Sequence, residues 1–330
     1  MHAEELNDLP VPLVARTAVL LATFNGARFL PELLDSLARQ TYTQFTLFVR
    51  DDGSTDDTLR LLRERAANGT VRFRAVETQT RHIGPRDSFG TLLEHALRDS
   101  SEFRYFAFCD QDDWWYPNKI EAQVRAMAQA ESHHKGRPIL IHSDLALVDE
   151  SLDLLAPSYR KQQHIDLAPP ELRTLLLRNS VVGCATLLNR PLAELALPIP
   201  SAAIMHDWWL ALLACVSGEL RPLHSVHLKY RQHGANNCGA GDATWRRLLS
   251  LRHWRRRVLN NDQFSALRPY AQAAALAQRV PDALSAQWRA RLALVSDLPH
   301  QAPLQRRISV LRSGIVPHDP VRLLGCLLKL

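Results

Sequence analysis

With 330 residues, 46% of them hydrophobic and 22% charged, the chain has an ordinary globular composition and length enough for one large core or a core with an appendage. A net charge of +6 favours acidic partners such as nucleotides, phosphorylated lipids or an anionic membrane surface. Nucleic acid is disfavoured, because residues 1–150 mix both charge signs without a basic tract.

Residues 1–16 read as a leader: Glu4, Glu5 and Asp8 stand where a secretory signal would carry basic residues, and no apolar core follows. Ala18–Ala22 is an apolar run of strand length, and Leu30, Leu33, Leu34 and Leu37 then recur at helical spacing within Phe29–Gln40. A second strand over Phe45–Val49 ends in the polar loop Asp51–Asp57, followed by a helix over Thr58–Ala67 and a strand near Val71–Ala75. A helix over Asp87–Arg98 leads to a strand at Tyr105–Cys109 that runs into Asp110-Gln111-Asp112-Asp113. Pro117 suits the first turn of a helix reaching Glu131, and Ile139–His142 reads as one more strand. This alternation predicts βαβ units and an α/β fold, with a Rossmann-like, mainly parallel sheet flanked by helices. Between residues 150 and 240, Pro157, Pro169-Pro170 and Pro198–Pro200 break the pattern, and from Ala243 onward it is helical, basic and leucine-rich. The longest apolar runs, such as Trp208–Val216, fall short of the ~20 residues of a membrane span. Cys109, Cys184, Cys215, Cys238 and Cys326 are widely spaced with no Cys-x-x-Cys pair, which argues against a disulfide framework or zinc knuckle and fits a reducing cytoplasm.

Ligands of doubly wound sheets bind beyond the carboxyl ends of the strands, and Thr23–Asn25, Asp51-Asp52 and Asp110–Asp113 all fall at such ends. Three carboxylates at the end of one apolar strand repel one another unless a cation compensates. A hard divalent ion held by one or two of them and bridged to diphosphate oxygens would do so; the alternative is a solvated acidic turn. In Asp51-Asp52-Gly53-Ser54-Thr55-Asp56 the carboxylates could accept from a nucleobase or ribose, yet the segment is equally a turn followed by a helix cap. In His206-Asp207-Trp208-Trp209, Asp207 could be a general base flanked by sugar-stacking aromatics such as Trp208, or simply an N-cap. Tyr230-Arg231-Gln232-His233-Gly234 offers a basic segment whose histidine could ligate a metal.

Taken in order, Ala22-Thr23-Phe24-Asn25-Gly26, Asp51–Asp56, Cys109–Trp114 and His206–Trp209 resemble the inverting family 2 glycosyltransferases of the GT-A fold. The likeness covers residues 17–240, with 241–330 as a basic helical C-terminal region. Pro117–Ile120, Asn179–Cys184, Leu197–Pro200 and Tyr230–Gly234 are similar to the rhamnosyltransferase-like branch. The resemblance implies that Thr23, Asn25 and Asp52 hold the nucleoside, with Asp51 supporting their loop. It further implies that Asp112 contacts ribose or metal, that Asp113 is the principal ligand of Mg²⁺ or Mn²⁺, and that Asp110 orients the donor sugar or a metal-bound water. Asp207 becomes the general base and His233 an extra ligand to metal or diphosphate. One block departs: Gly84-Pro85-Arg86-Asp87-Ser88-Phe89 has serine where the family often has asparagine, which leaves Arg86 and Ser88 as the weaker donor contacts.

The expected reaction is a single displacement that moves a sugar from a nucleoside-diphosphate donor to a hydroxyl of a growing surface glycan, such as lipopolysaccharide, or of a lipid-linked saccharide. By branch, deoxythymidine-diphosphate rhamnose (dTDP-rhamnose) is favoured, with UDP-hexoses as the alternative. Trp245, Arg246, Arg247, Trp254 and Arg255–Arg257, with the leucines of Ile308–Leu330, read equally as a peripheral contact with the inner membrane face or as a helical cap on the catalytic domain. The rival functions are a nucleotidyltransferase, whose phosphate loop Thr23–Arg28 reproduces only in part, and a non-catalytic nucleotide-sugar-binding protein, which would be expected to lose the carboxylates kept here.

Overall fold

A computed structural model describes residues 16–69, 71–76, 82–165, 171–233, 263–317 and 319–330. The leader to residue 15, Pro169-Pro170, Gly234, Cys238 and the aromatic and basic residues of 245–257 lie outside the described residues.

The chain begins β1 (Arg16–Thr23), α1 (Leu30–Ala38), β2 (Phe45–Asp51), α2 (Thr58–Ala67), β3 (Phe73–Ala75), α3 (Pro85–Asp99) and β4 (Phe103–Asp110). These four strands lie parallel in the order β3-β2-β1-β4. The chain moves outward from β1 to β3 and then returns to the other side of β1, which opens a topological switch point between β1 and β4. In register, Thr23 pairs with Asp51 and Ala22 with Asp110, so the three polar loops leave the sheet at one level.

Residues of β1 alternate between two cores. Ala18 and Leu20 join Phe106, Phe108 and the α3 residues Phe89, Leu92 and Leu93 on one face. Val19 and Leu21 join the α1 leucines, Ala107 and Cys109 on the other. A strand covered on both faces must be apolar throughout, which is why the run from Ala18 to Leu21 shows no polar alternation.

The second half continues with β5 (Trp114–Trp115), α4 (Lys119–His133), β6 (Ile139–Val148), β7 (Leu154–Ala156), α5 (Tyr159–Gln162), α6 (Leu172–Leu177), β8 (Thr186–Asn189), α7 (Arg190–Ala196), α8 (His206–Ser217) and β9 (Glu219–Arg231). The sheet extends past β4 as β8-β6-β9-β5, with β7 on β6. Here β8, β5 and β7 run antiparallel to their neighbours, and β6 and β9 pair in parallel. The parallel expectation describes the first 110 residues, and the sheet as a whole is mixed. Helix α4 starts at Lys119, after Pro117, whose carbonyl instead accepts from the Thr41 N–H and Oγ1.

The C-terminal helices are α9 (Gln263–Arg279), α10 (Ala286–Val295), α11 (Pro303–Ser313) and α12 (Pro320–Lys329). Tyr270, Ala273, Leu276, Leu292 and Val295 join the core that holds Trp209 and Leu213 of α8. The region therefore packs as a helical cap against α8 and the core it shares. It still leaves Leu304, Ile308 and Leu311 of α11 and Leu324 and Leu328 of α12 exposed. Among the described residues no helix is long and apolar enough to cross a membrane.

Candidate active site

The first strand ends in a loop held by side chains from its neighbours. Thr23 Oγ1 donates to Asp51 Oδ1 at 2.8 Å, and Asp51 also accepts from the Gly53 and Ser54 N–H groups and the Ser54 hydroxyl. Asn25, at φ 48°, accepts from the Thr55 N–H through Oδ1, while its own N–H donates to Ser54. Asparagine tolerates this left-handed backbone better than most residues. Gln111 grips the same loop from the far side: its Oε1 accepts from Phe24 N–H at 2.8 Å and its Nε2 donates to Phe24 O at 2.9 Å. A Cβ at Gly26 would meet Gln111 Oε1 at 2.2 Å; glycine lets the clamp close.

Asp52 is buried and well supplied with donors. It accepts from Arg50 Nη1 at 2.6 Å and from the Ile83 and Gly84 N–H groups, and it pairs with His82 Nδ1 at 2.9 Å. Burial acts to raise its pKa, but Arg50 and the two N–H groups outweigh that and hold it below the ordinary carboxylate range. Arg50 also donates to Ser88 Oγ at 2.7 Å. Arg86 pairs with Asp87 and donates to the carbonyls of Ser201 and Ala203. The structure thus gives Ser88 and Arg86 framework bonds: one fixes the Asp52 loop, the other anchors the segment leading to α8.

Beyond β4 the carboxylates separate into two groups. Asp110, Asp113 and the Cys184 thiol bring ligand atoms within 4.8 Å of one another. Asp112 lies beside this trio and takes His233 Nε2 on its Oδ2 at 2.7 Å, with the His233 ring 4.9 Å from Phe29. Asp113 is 0% exposed, and among the described residues neither of its carboxylate oxygens has a hydrogen-bond partner in good geometry, the Cys184 thiol and the Arg231 N–H being neighbours that only temper its pKa. Two bare buried oxygens on one carboxylate are costly without a counter-charge. Burial, then the neighbouring Asp112 and Asp110, push its pKa well up; burial and the Asp112 and Asp207 charges push Asp110 up to about 7. The orphaned oxygens and the two carboxylates of this trio fit a divalent cation, whereas Asp112 and His233, the other ligands expected from the sequence, pair with each other beside it.

Asp207 enters from the opposite side, in the first turn of α8. That helix is apolar almost all round, with Trp209 to Ala214 fully buried, at about 1.5–3 kcal/mol for each large side chain, so its start is rigidly placed. Asp207 Oδ2 accepts from Gly183 N–H at 3.0 Å and Oδ1 from Trp208 N–H at 2.6 Å. Burial lifts its pKa to about 6 against these bonds. Trp208 directs its Nε1 at the Leu175 carbonyl, so one edge of the indole is committed to the fold. Next to Asp207, His206 packs between Phe89 and Phe108, tilted on the first and edge-on to the second with centroids 4.3 and 4.5 Å away, and burial lowers its pKa to about 3.

Three supporting residues carry little signal in sequence. Arg231, buried at the end of β9, donates through Nε to Asp112 O at 2.9 Å and also bonds the Glu150 carbonyl and Glu32, while its guanidinium lies 4.5 Å over Phe29. Lys119 is fully buried, with Nζ 3.5 Å over the Trp115 ring and 3.2 Å from Gln123 Oε1. Cys184 falls within a family-like block, but only the fold carries it to Asp110.

Residues 18–135 match the family model for glycosyl transferase family 2. That segment is similar to family 2 glycosyltransferase domains. The chain is 28% identical over 223 residues to an uncharacterized protein of Mycobacterium tuberculosis, covering 66% of this chain and 58% of that one. The chain therefore spans less than two thirds of that relative. It is 24% identical over 251 residues to the dTDP-rhamnosyl transferase RfbG of Shigella flexneri, covering 72% and 81% of the two chains. In fold it is similar to the mannosyltransferase PcManGT of Pyrobaculum calidifontis, solved in complex with GDP-Man and Mn²⁺, at 18% identity and TM-score 0.51 over 95% and 86% of the two chains. The sheet and its flanking helices form a GT-A fold, the fold of PcManGT.

Proposed function

We propose that the chain is an inverting, cation-dependent glycosyltransferase in which Asp207 is the general base and Asp113 the principal ligand of Mg²⁺ or Mn²⁺. The observation that carries this reading is Asp113, fully buried with two unpartnered oxygens, in a centre that also includes Asp110, the electrostatic neighbour of Asp207. Thr23, Asn25 and the Asp51–Asp52 loop sit at the nucleoside end. The Asp112–His233 pair lies beside the centre as a further contact for ribose, cation or diphosphate.

Asp207 takes the proton of an acceptor hydroxyl as that oxygen bonds the anomeric carbon, and the carbon–oxygen bond to the diphosphate breaks on the opposite face. One displacement inverts the configuration and needs no nucleophile from the protein. A bound divalent cation offsets the charge left on the nucleoside diphosphate. The Gly183 and Trp208 N–H groups fix the carboxylate. Its raised pKa makes it a stronger base than an ordinary aspartate while leaving it ionised at neutral pH.

Rhamnose from a dTDP donor is the favoured substrate, supported by the branch-like sequence blocks and by the similarity to RfbG. The acceptor is a hydroxyl of a surface glycan or lipid-linked saccharide. The exposed leucines of α11 and α12, beside Arg312 and Lys329, support attachment to an anionic inner leaflet. Saturation-transfer NMR against a panel of nucleotide sugars in Mg²⁺ tests the reading. One donor should bind with cation and be lost in Asp113→Ala; no binding of any nucleotide, with or without cation, would remove the transferase assignment.

A further inference from the structure

We propose that Cys184 is a thiolate ligand of the divalent cation, so that the centre formed with Asp110 and Asp113 has one sulfur and two carboxylate arms and binds thiophilic cations more tightly than Mg²⁺. This rests on the reading of the β4 end as a cation centre and adds to it the donor that sets cation preference. The three ligand atoms lie within 4.8 Å of one another. Ligand atoms ~2.1 Å (oxygen) and ~2.3 Å (sulfur) from one cation stand at most ~4.4 Å apart, so side-chain shifts of a few tenths of an ångström bring a cluster of this span onto a single ion. Cys184 is fully buried, as is Asp113, whose two oxygens stand unpartnered. The thiol reaches this position because residues 183–185 form a 3₁₀ turn before β8, the strand that pairs antiparallel with β4.

Charge favours the same assignment. On binding, the thiol gives its proton to solvent, and three negative donors against a dication leave one negative charge. The buried ammonium of Lys119, an electrostatic neighbour of Asp113 and Cys184, balances it from below. Soft sulfur ligands select Zn²⁺, Co²⁺ or Cd²⁺, whereas carboxylates alone suit Mg²⁺ and Mn²⁺. Cys109, also buried, points its sulfur toward the Asp110 carbonyl at 3.8 Å and stands outside the cluster, which makes it the control.

Co²⁺ titrated into the metal-free full-length chain should give a near-ultraviolet thiolate-to-cobalt charge-transfer band. Cys184→Ser should abolish the band and weaken Co²⁺ binding about tenfold or more, while Cys109→Ser keeps it. Retained Mn²⁺ binding by electron paramagnetic resonance in Cys184→Ser would show that the fold and the carboxylates survive. Cobalt bound without a thiolate band, or a band that persists in Cys184→Ser, overturns the proposal and leaves the carboxylate centre standing. Failure of the unaltered chain to bind either Co²⁺ or Mn²⁺ takes down the cation reading and the thiolate with it.

Discussion

As the proposed base, Asp207 has to combine two requirements that conflict. A base must be desolvated enough to want a proton, yet a desolvated carboxylate weakens the fold that holds it. Its pKa is raised from 3.8 to about 6, so the folded chain binds this proton more tightly than the unfolded one. The resulting stability is fully present below the unfolded value and is lost as pH rises through about 6. Asp207→Asn keeps an oxygen for the Gly183 N–H but removes the charge. We expect it to lower kcat by about 10²–10⁴ while raising the melting temperature at pH 8 and leaving it nearly unchanged at pH 3.5. The same group predicts a kcat/KM for the unaltered chain that falls about tenfold per pH unit below about pH 6; a profile flat to pH 5 would show that another group takes the proton. His206 adds no second ionisation in that range, since it stays neutral down to about 3. Asp207 and the Asp110–Asp113 cluster were legible in the sequence as candidates for a site. Their division was not, because Asp112 parts from Asp113 only through His233, 121 positions along the chain.

At the scale of elements, apolar runs marked β1, β2 and β4, and the spacing of leucines marked α1. Strand β9 escaped because Glu219–Arg231 contains Pro222 and alternates basic with apolar residues, as an edge or loop would; it becomes a strand by pairing with β6 on one side and β5 on the other. The turn that delivers it is tight. A Cβ at Gly218 would meet the Pro138 carbonyl oxygen at 1.7 Å, and backbone cannot yield as a side-chain end can. Gly218→Ala is expected to destabilise the chain by about 3 kcal/mol or more, read as a shifted denaturant midpoint. It should disturb acceptor turnover before donor binding, since α8 and β9 meet at that residue while β1 and β2 do not. An unchanged midpoint would show that Pro138 moves freely.

Across the whole molecule, the division of labour is topological. On the proposed reading, strands β1 to β4 supply the nucleoside side, and residues 183–233 supply the base, Cys184 and His233. The C-terminal helices pack on the second group and carry exposed apolar side chains outward. Flotation with anionic vesicles should recover the full chain at low salt and lose it when Leu324 and Leu328 are both changed to Asp; equal recovery of both proteins would leave those helices as cap alone. Little of this long-range arrangement was available from sequence, because it rests on contacts such as Arg231 to Glu32, 199 positions apart. That clasp has a consequence for chimaeras. A second half grafted from a relative without an arginine at 231 would leave the Asp112 carbonyl and Glu32 without their shared partner, so that one guanidinium is a seam at which exchanged halves must match.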